Sequence, residues 1–253
     1  MMILRLNGLS IALGGKEILR DIDGEFQAGE MIGILGQNGA GKTTLIRAIA
    51  GLVKYQKGQV QLLSKGETFG REAIAYLPQM SASTGGLTVF EAVLLGLKNH
   101  LGWRVSNAQI QQVEAVLQKL EIGSLAQRRL DQLSGGQRQL VYLAQAFVSE
   151  PKVLLLDEPT SALDLRHQLV VMKAVQRYCR ETGAIVMYVI HDLTLAARFS
   201  DRVMMLHEGT VQRLDVPAQV LTSAIIDPIY GISTLVERNC LDFVSVTPIE
   251  PLN

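Results

Sequence analysis

Met31-Ile32-Gly33-Ile34-Leu35-Gly36-Gln37-Asn38-Gly39-Ala40-Gly41-Lys42-Thr43-Thr44 is the stretch from which the fold can be read. Its first five residues form a short apolar run, typical of a strand buried on both faces. Gly36 to Thr43 then match G-x-x-x-x-G-K-[ST], the P-loop pattern. A helix is expected from about Lys42 to Ala50, with Gly51 where a helix-ending glycine belongs. Strand, glycine turn and helix together give the pattern its meaning. Glycines let the backbone wrap closely and aim N–H groups at phosphate oxygens, and the helix presents its positive N-terminal end to the same anion. On this reading Gly36, Gln37, Asn38, Gly39, Ala40, Gly41, Lys42, Thr43 and Thr44 bind a nucleotide. Lys42 reaches the β- and γ-phosphates, and the Thr43 hydroxyl sits on Mg²⁺. The alternative is a chance glycine turn.

Outward from the loop the same texture recurs. Val153-Leu154-Leu155-Leu156 reads as another buried strand and runs into Asp157-Glu158. Downstream of a P-loop, Asp157 would hold Mg²⁺ directly or through water, while Glu158 would accept a proton from, or orient, an attacking water. Gln59 to Leu63, Ala73 to Leu77, Ile185 to Ile190 and Val203 to Leu206 read as further strands. Before the loop, Met2, Leu4 and Leu6 alternate with Ile3, Arg5 and Asn7, and Gly14-Gly15 reads as a hairpin turn. From about Ser81 to Leu130 the texture is helical, with Ile110, Val113, Leu117 and Leu120 on one stripe. Leu165 to Arg180 is expected to be a helix with Leu165, Leu169, Met172 and Cys179 roughly on one face. The fold class is therefore α/β, a mostly parallel sheet covered on both sides.

Composition narrows the partners. Lys plus Arg number 24 and Asp plus Glu number 24, so no cationic excess drives nucleic-acid binding, and no nucleic-acid partner is expected. Cys179 and Cys240 do not make a disulfide framework and fit a reducing compartment. Met1 to Ser10 does not read as a secretory signal. The longest apolar runs, such as Ala184 to Ile190, fall short of the roughly 18–20 residues that span a bilayer. A membrane role would have to come through a partner. His100, His167 and His207 show no ligand spacing with either cysteine, and Trp103 has no assigned side.

Leu133-Ser134-Gly135-Gly136-Gln137, taken with Gln79, Asp157-Glu158, Ser161-Ala162-Leu163-Asp164 and His191, makes the chain resemble the nucleotide-binding subunit of an ABC transporter over essentially its whole length. Physically, the segment reads as a second anion site: Ser134 can cap a helix whose two leading glycines bare its amides. The resemblance implies a P-loop NTPase core with an N-terminal antiparallel β subdomain and an inserted helical subdomain. Residues 1–80 and 150–214 would form the core with the β subdomain. Residues 81–149 would form the helical subdomain carrying the signature, and 215–253 a C-terminal extension.

The resemblance also implies roles. Ser134, Gly135, Gly136 and Gln137 would close the ATP site of a second copy, giving a head-to-tail homodimer with two composite Mg-ATP sites. Gln79 matches the Q-loop glutamine, touching Mg²⁺ or the attacking water; otherwise it is a polar residue ending a strand. His191 matches the switch histidine, which contacts the γ-phosphate; otherwise it is a polar surface residue. Asp164 matches the D-loop aspartate along the dimer seam; otherwise it is an acid favoured at a helix start. Two positions depart from the family pattern. Leu13 stands where an aromatic usually stacks on adenine, which leaves ATP against GTP open. Gln145 in Ala144-Gln145-Ala146 replaces a usual arginine.

Val216-Pro217-Ala218-Gln219-Val220-Leu221-Thr222 and Ile229-Tyr230-Gly231-Ile232 resemble the C-terminal extension of iron-siderophore, haem and cobalamin importer ATPases. Tyr76-Leu77-Pro78-Gln79, Thr88-Val89-Phe90-Glu91 and Asp164-Leu165-Arg166-His167-Gln168 point the same way, and Phe243 to Val246 could add a strand. The implied protein is an ATPase driving two integral-membrane permease subunits, served indirectly by a periplasmic or lipid-anchored substrate-binding protein. It would be peripheral on the cytoplasmic face of the inner membrane. An ATPase of another importer or exporter, or a soluble scaffold as in iron–sulfur assembly, remains the alternative.

Overall fold

In chain order the strands are β1 (Met2–Leu13), β2 (Lys16–Gln27), β3 (Met31–Leu35), β4 (Lys57–Ser64), β5 (Glu67–Phe69), β6 (Ile74–Leu77), β7 (Val153–Asp157), β8 (Ile185–Val189), β9 (Arg202–His207), β10 (Thr210–Asp215), β11 (Ile232–Arg238) and β12 (Val244–Pro251). The helices are α1 (Lys42–Ile49), α2 (Val89–Leu94), α3 (Asn107–Lys119), α4 (Gly135–Phe147), α5 (Leu165–Thr182), α6 (Leu193–Phe199), α7 (Pro217–Val220) and α8 (Ser223–Tyr230). This computed structural model describes residues 2–64, 67–79, 86–100, 105–240 and 242–252. Trp103, residues 81–85 of the expected helical stretch, and the side chain of His100 lie outside the described residues.

The central sheet has the order β10-β9-β3-β8-β7-β6, parallel throughout except where β10 pairs antiparallel with β9. Every residue of β3, β7 and β8 is buried, as their unbroken apolar runs predict. Period two divides each strand between two cores. Ile32, Ile34, Val153, Leu155, Met187 and Val189 pack toward α1 and the antiparallel sheet β2-β1-β4-β5. Met31, Leu35, Leu154, Leu156, Val186 and Tyr188 face the helical side with α4, α5 and α6. Each such large side chain contributes roughly 1.5–3 kcal/mol on leaving water. This burial, not any single bond, holds the loops at the sheet's edge.

Three expectations change. Leu165 is 78% exposed and does not share the buried face of α5. It is the first residue after the Asp164 cap, where the helix has just left the loop. The buried stripe starts farther along, with Val171, Met172, Val175, Tyr178 and Cys179. The strand expected over 243–246 runs Val244–Pro251 and pairs with β11, which the sequence does not announce. Pro248 and Pro251 interrupt its N–H pattern, and a two-stranded ribbon tolerates that. α5 runs on to Thr182 and stops at Gly183, whose φ of 68° suits a C-terminal glycine. Of the stripe read for α3, Val113 and Leu117 are buried, Leu120 is buried as the residue that ends the helix, and Ile110 is half-buried.

Candidate functional site

The carboxyl ends of parallel strands are where open α/β sheets hold ligands. Here register brings distant segments to one level. Leu77 of β6 pairs with Leu156 of β7, so Gln79 and Glu158 emerge side by side. Asp157 pairs with Val189 of β8, so His191 emerges next to them. β3, on the other side of β8, delivers Gly36.

Gly36 begins the loop with φ of 142°, and a Cβ there would overlap the carbonyl oxygen of Leu206. Gln37, Asn38 and Gly39 are exposed at the tip, whereas Ala40, Gly41 and Lys42 are buried. α1 starts from Gly41, which offers no side-chain cap, so the first-turn amides are left to a ligand. Lys42 Nζ donates to Gly36 O at 2.7 Å and Gln37 O at 2.8 Å. Burial lowers its pKa, and the nearby negative charges of Glu158 and Asp157 oppose that. The ammonium is thus parked on the loop's own carbonyls, which a triphosphate oxygen can replace. Thr43 and Thr44 follow, half-buried.

Asp157 is 3% exposed and both its oxygens are engaged. Thr43 Oγ1 donates to Oδ1 at 2.9 Å, and the Tyr76 hydroxyl donates to Oδ2 at 3.1 Å. Arg47 Nε in turn donates to the Tyr76 hydroxyl oxygen at 3.1 Å. Burial raises the Tyr76 pKa, so it stays a neutral donor. A hydroxyl and a buried carboxylate side by side are hard oxygen donors, and they fit Mg²⁺ completing its shell with waters and phosphate oxygens.

Glu158 has φ of 50°, a left-handed backbone that turns it out of the strand line. Its Oε2 accepts from Gln79 Nε2 at 2.7 Å, and its Oε1 lies 2.7 Å from His191 Nε2. One carboxylate is therefore held between two side chains from different strand ends.

Ser134 to Gln137 form a separate group. Ser134 Oγ accepts from Gln137 N at 3.3 Å, and Gln137 Oε1 accepts from Ser134 N at 3.1 Å, a reciprocal capping box. Ser134 and Gly135 are exposed. Gly136 is buried against the His167 imidazole, into which a Cβ would intrude. Asp164 caps α5, accepting from His167 N at 2.8 Å, with His167 Nδ1 also 2.8 Å from the carboxylate. Those hydrogen bonds hold its pKa below the usual value. Thus the signature segment meets Asp164 through His167, and among the described residues no hydrogen bond joins it to the loop at 36–43.

Four functional candidates escaped the sequence reading: Arg47, Tyr76, His167 and Tyr230. Tyr76 carried a signal, a hydroxyl in an apolar strand three residues before Gln79. His167 carried another, three residues after an acid at a helix start. Tyr230, whose hydroxyl accepts from Gly36 N at 3.1 Å across 194 positions, stood only inside the segment Ile229 to Ile232, with nothing to mark a role of its own. Cys179 is core, its thiol pushed up to about 11 by burial.

Comparison with known proteins places the chain in a family. Residues 19–161 match the family model described as ABC transporter. A hemin import ATP-binding protein of Pseudomonas entomophila is 39% identical over 246 residues, covering 93% of this chain and 95% of that protein. An ABC transporter ATP-binding protein of Methanocaldococcus jannaschii is 37% identical over 243 residues, covering 94% and 95%. Among solved structures, a metal-chelate type ABC transporter in an inward-facing conformation superposes with TM-score 0.87 at 25% identity, over 98% of both chains.

Proposed function

The chain belongs to the ABC transporter ATP-binding family, an ATPase of an import system that works with membrane permeases, and from that premise we propose that it is a homodimeric importer subunit for an iron-siderophore, haem or cobalamin. The cargo class is supported by the relative named for hemin import and the neighbour named for metal chelates. Among the described residues no helix is long and apolar enough to cross a membrane. Two permease subunits and a periplasmic or lipid-anchored binding protein would complete the system, with this chain peripheral on the cytoplasmic face of the inner membrane.

The observation that carries the mechanism is the Glu158 carboxylate held between Gln79 and His191 beside the loop. We assign the loop residues Gly36 to Thr44 to the triphosphate. Lys42 leaves the Gly36 and Gln37 carbonyls for the β- and γ-phosphates. Thr43 and Asp157 would hold Mg²⁺, which when bound supplies charge neutralisation on the phosphates. Glu158 orients the water and accepts its proton, and Gln79 and His191 keep the carboxylate aimed. A second copy's Ser134, Gly135, Gly136 and Gln137 cover the γ-phosphate, with Asp164 along the seam. Leu13, 46% exposed at the end of β1, offers adenine an aliphatic contact only, so base selectivity is expected to be weak.

The test is reconstitution with the neighbouring permease, measuring ATPase rates with ferric siderophores, haem and cobalamin. Stimulation by one of them is expected. Stimulation by none, with a binding protein present, overturns the cargo assignment. Glu158→Gln with ATP should run as a dimer on a sizing column, or within the full complex if the pair is weak.

A further inference from the structure

The C-terminal segment reaches the nucleotide loop from behind. α8 buries Ile226 and Ile229 in the helical-side core and ends at Tyr230, where Gly231 stops it with φ of 68°. The Gly36 N–H donates to the Tyr230 hydroxyl oxygen at 3.1 Å. Gly36 is the hinge between β3 and the loop. Its carbonyl already holds Lys42, and a Cβ added to it would overlap the Leu206 carbonyl oxygen. Both polar groups of this one residue are thus committed, one to the lysine that handles phosphate and the other to the tail. The same tail also packs against α6. β12 packs along α6, and Arg198 of α6 lies 5.9 Å over the Phe243 ring. α6 begins two residues after His191.

We propose that Tyr230 is a positioning residue for the nucleotide loop: its hydroxyl fixes Gly36 in the conformation that accepts the triphosphate, so the C-terminal extension sets ATP affinity. The hydroxyl stays a neutral partner, because burial raises its pKa. Without an acceptor, the buried Gly36 N–H turns to other groups, and the free loop spends most of its time in shapes that do not bind. Apparent affinity falls by the fraction of competent loop. Among the described residues no hydrogen bond joins Tyr230 to the reacting groups Glu158 and His191, so the saturated rate is preserved. This inference rests on the reading that Gly36 to Thr44 hold the triphosphate.

The experiment compares wild type, Tyr230→Phe, Thr234→Val and Lys42→Ala. Thr234 Oγ1 donates to Asp227 Oδ1 at 2.6 Å, so Thr234→Val loosens the tail while leaving the Tyr230 hydroxyl in place. Fluorescent-ATP binding, steady-state ATPase and thermal midpoints are measured on each full-length protein. In Tyr230→Phe, Kd and KM for ATP should rise about tenfold, the shift expected if roughly a tenth of the free loop stays competent, with kcat within about twofold. Thr234→Val should lower the midpoint and leave Kd near wild type. An unchanged Kd in Tyr230→Phe overturns the proposal, as does an equal rise in both tail variants, which would assign the effect to tail folding. If Lys42→Ala binds ATP like wild type, the loop reading itself fails, a separate outcome.

Discussion

The tips of α1 and α4 are both helix N-termini suited to an anion, and they are built in opposite ways. The α1 tip is buried, uncapped by any side chain, and surrounded by Asp157, Thr43 and the returning Lys42. The α4 tip is exposed at Ser134 and Gly135, capped by its own Ser134, and backed by Leu163 and by His167, which Asp164 holds. An uncapped tip in a crowded cleft is complete except for its ligand. A capped, exposed tip has its Gln137 amide satisfied by the Ser134 hydroxyl oxygen, but the capping box leaves the amides of the two leading glycines, and the hydroxyl hydrogen, to give outward. On the proposed function, the first is a binding site held within one chain and the second a surface that a second copy completes.

This contrast can be broken at several points. Removing the carboxylate that sits beside the α1 tip should have the largest effect. Glu158→Gln is expected to lower phosphate release at least about a hundredfold while ATP binding persists; wild-type turnover in that variant would remove Glu158 from the mechanism. Lys42→Ala should weaken binding and turnover together, with turnover falling on the order of a hundredfold. Its binding isotherm separates it from Glu158→Gln.

The α4 tip should respond differently. Gly136→Ala drives a methyl into the His167 ring and should destabilise the protein by about 1–3 kcal/mol in urea unfolding. Combining it with His167→Ala should recover part of that loss, because the ring that obstructs the methyl is gone; no recovery would mean the crowding has another source. Ser134→Ala should cost about 1 kcal/mol through the lost cap. It should leave ATP binding by the isolated chain unchanged, while ATP-driven pairing of Glu158→Gln copies weakens on a sizing column. Loss of ATP binding by the monomer would erase the distinction between the two tips.

Much of the α1 site was legible because its parts are local or periodic. Gly36 to Thr43 is contiguous, and the buried strand ending in Asp157-Glu158 announces itself by its unbroken apolar run. Gln79 and His191 are single polar residues after strands, and only resemblance to a family singled them out. Strand register then explains their meeting with Glu158, since the pairs Leu77 with Leu156 and Asp157 with Val189 level three strand ends. Leu165 misled the reading because hydrophobicity predicts burial only where the helix has a neighbour to cover that face. β11 was missed because its mixed residues carry neither a long apolar run nor a clean alternation.

The sequence by itself determined the chemistry available: a glycine loop with its lysine, a paired carboxylate at a strand end, a serine-led helix, and the family they imply. Only the tertiary structure decided which of these share one cleft, that Asp157 is braced by Tyr76 and Arg47, and that a tail tyrosine holds the first amide of the loop. The reason is physical. Local patterns record what a segment can do with its own backbone and nearest neighbours, whereas a hydrogen bond across 194 positions depends on how every intervening layer packs.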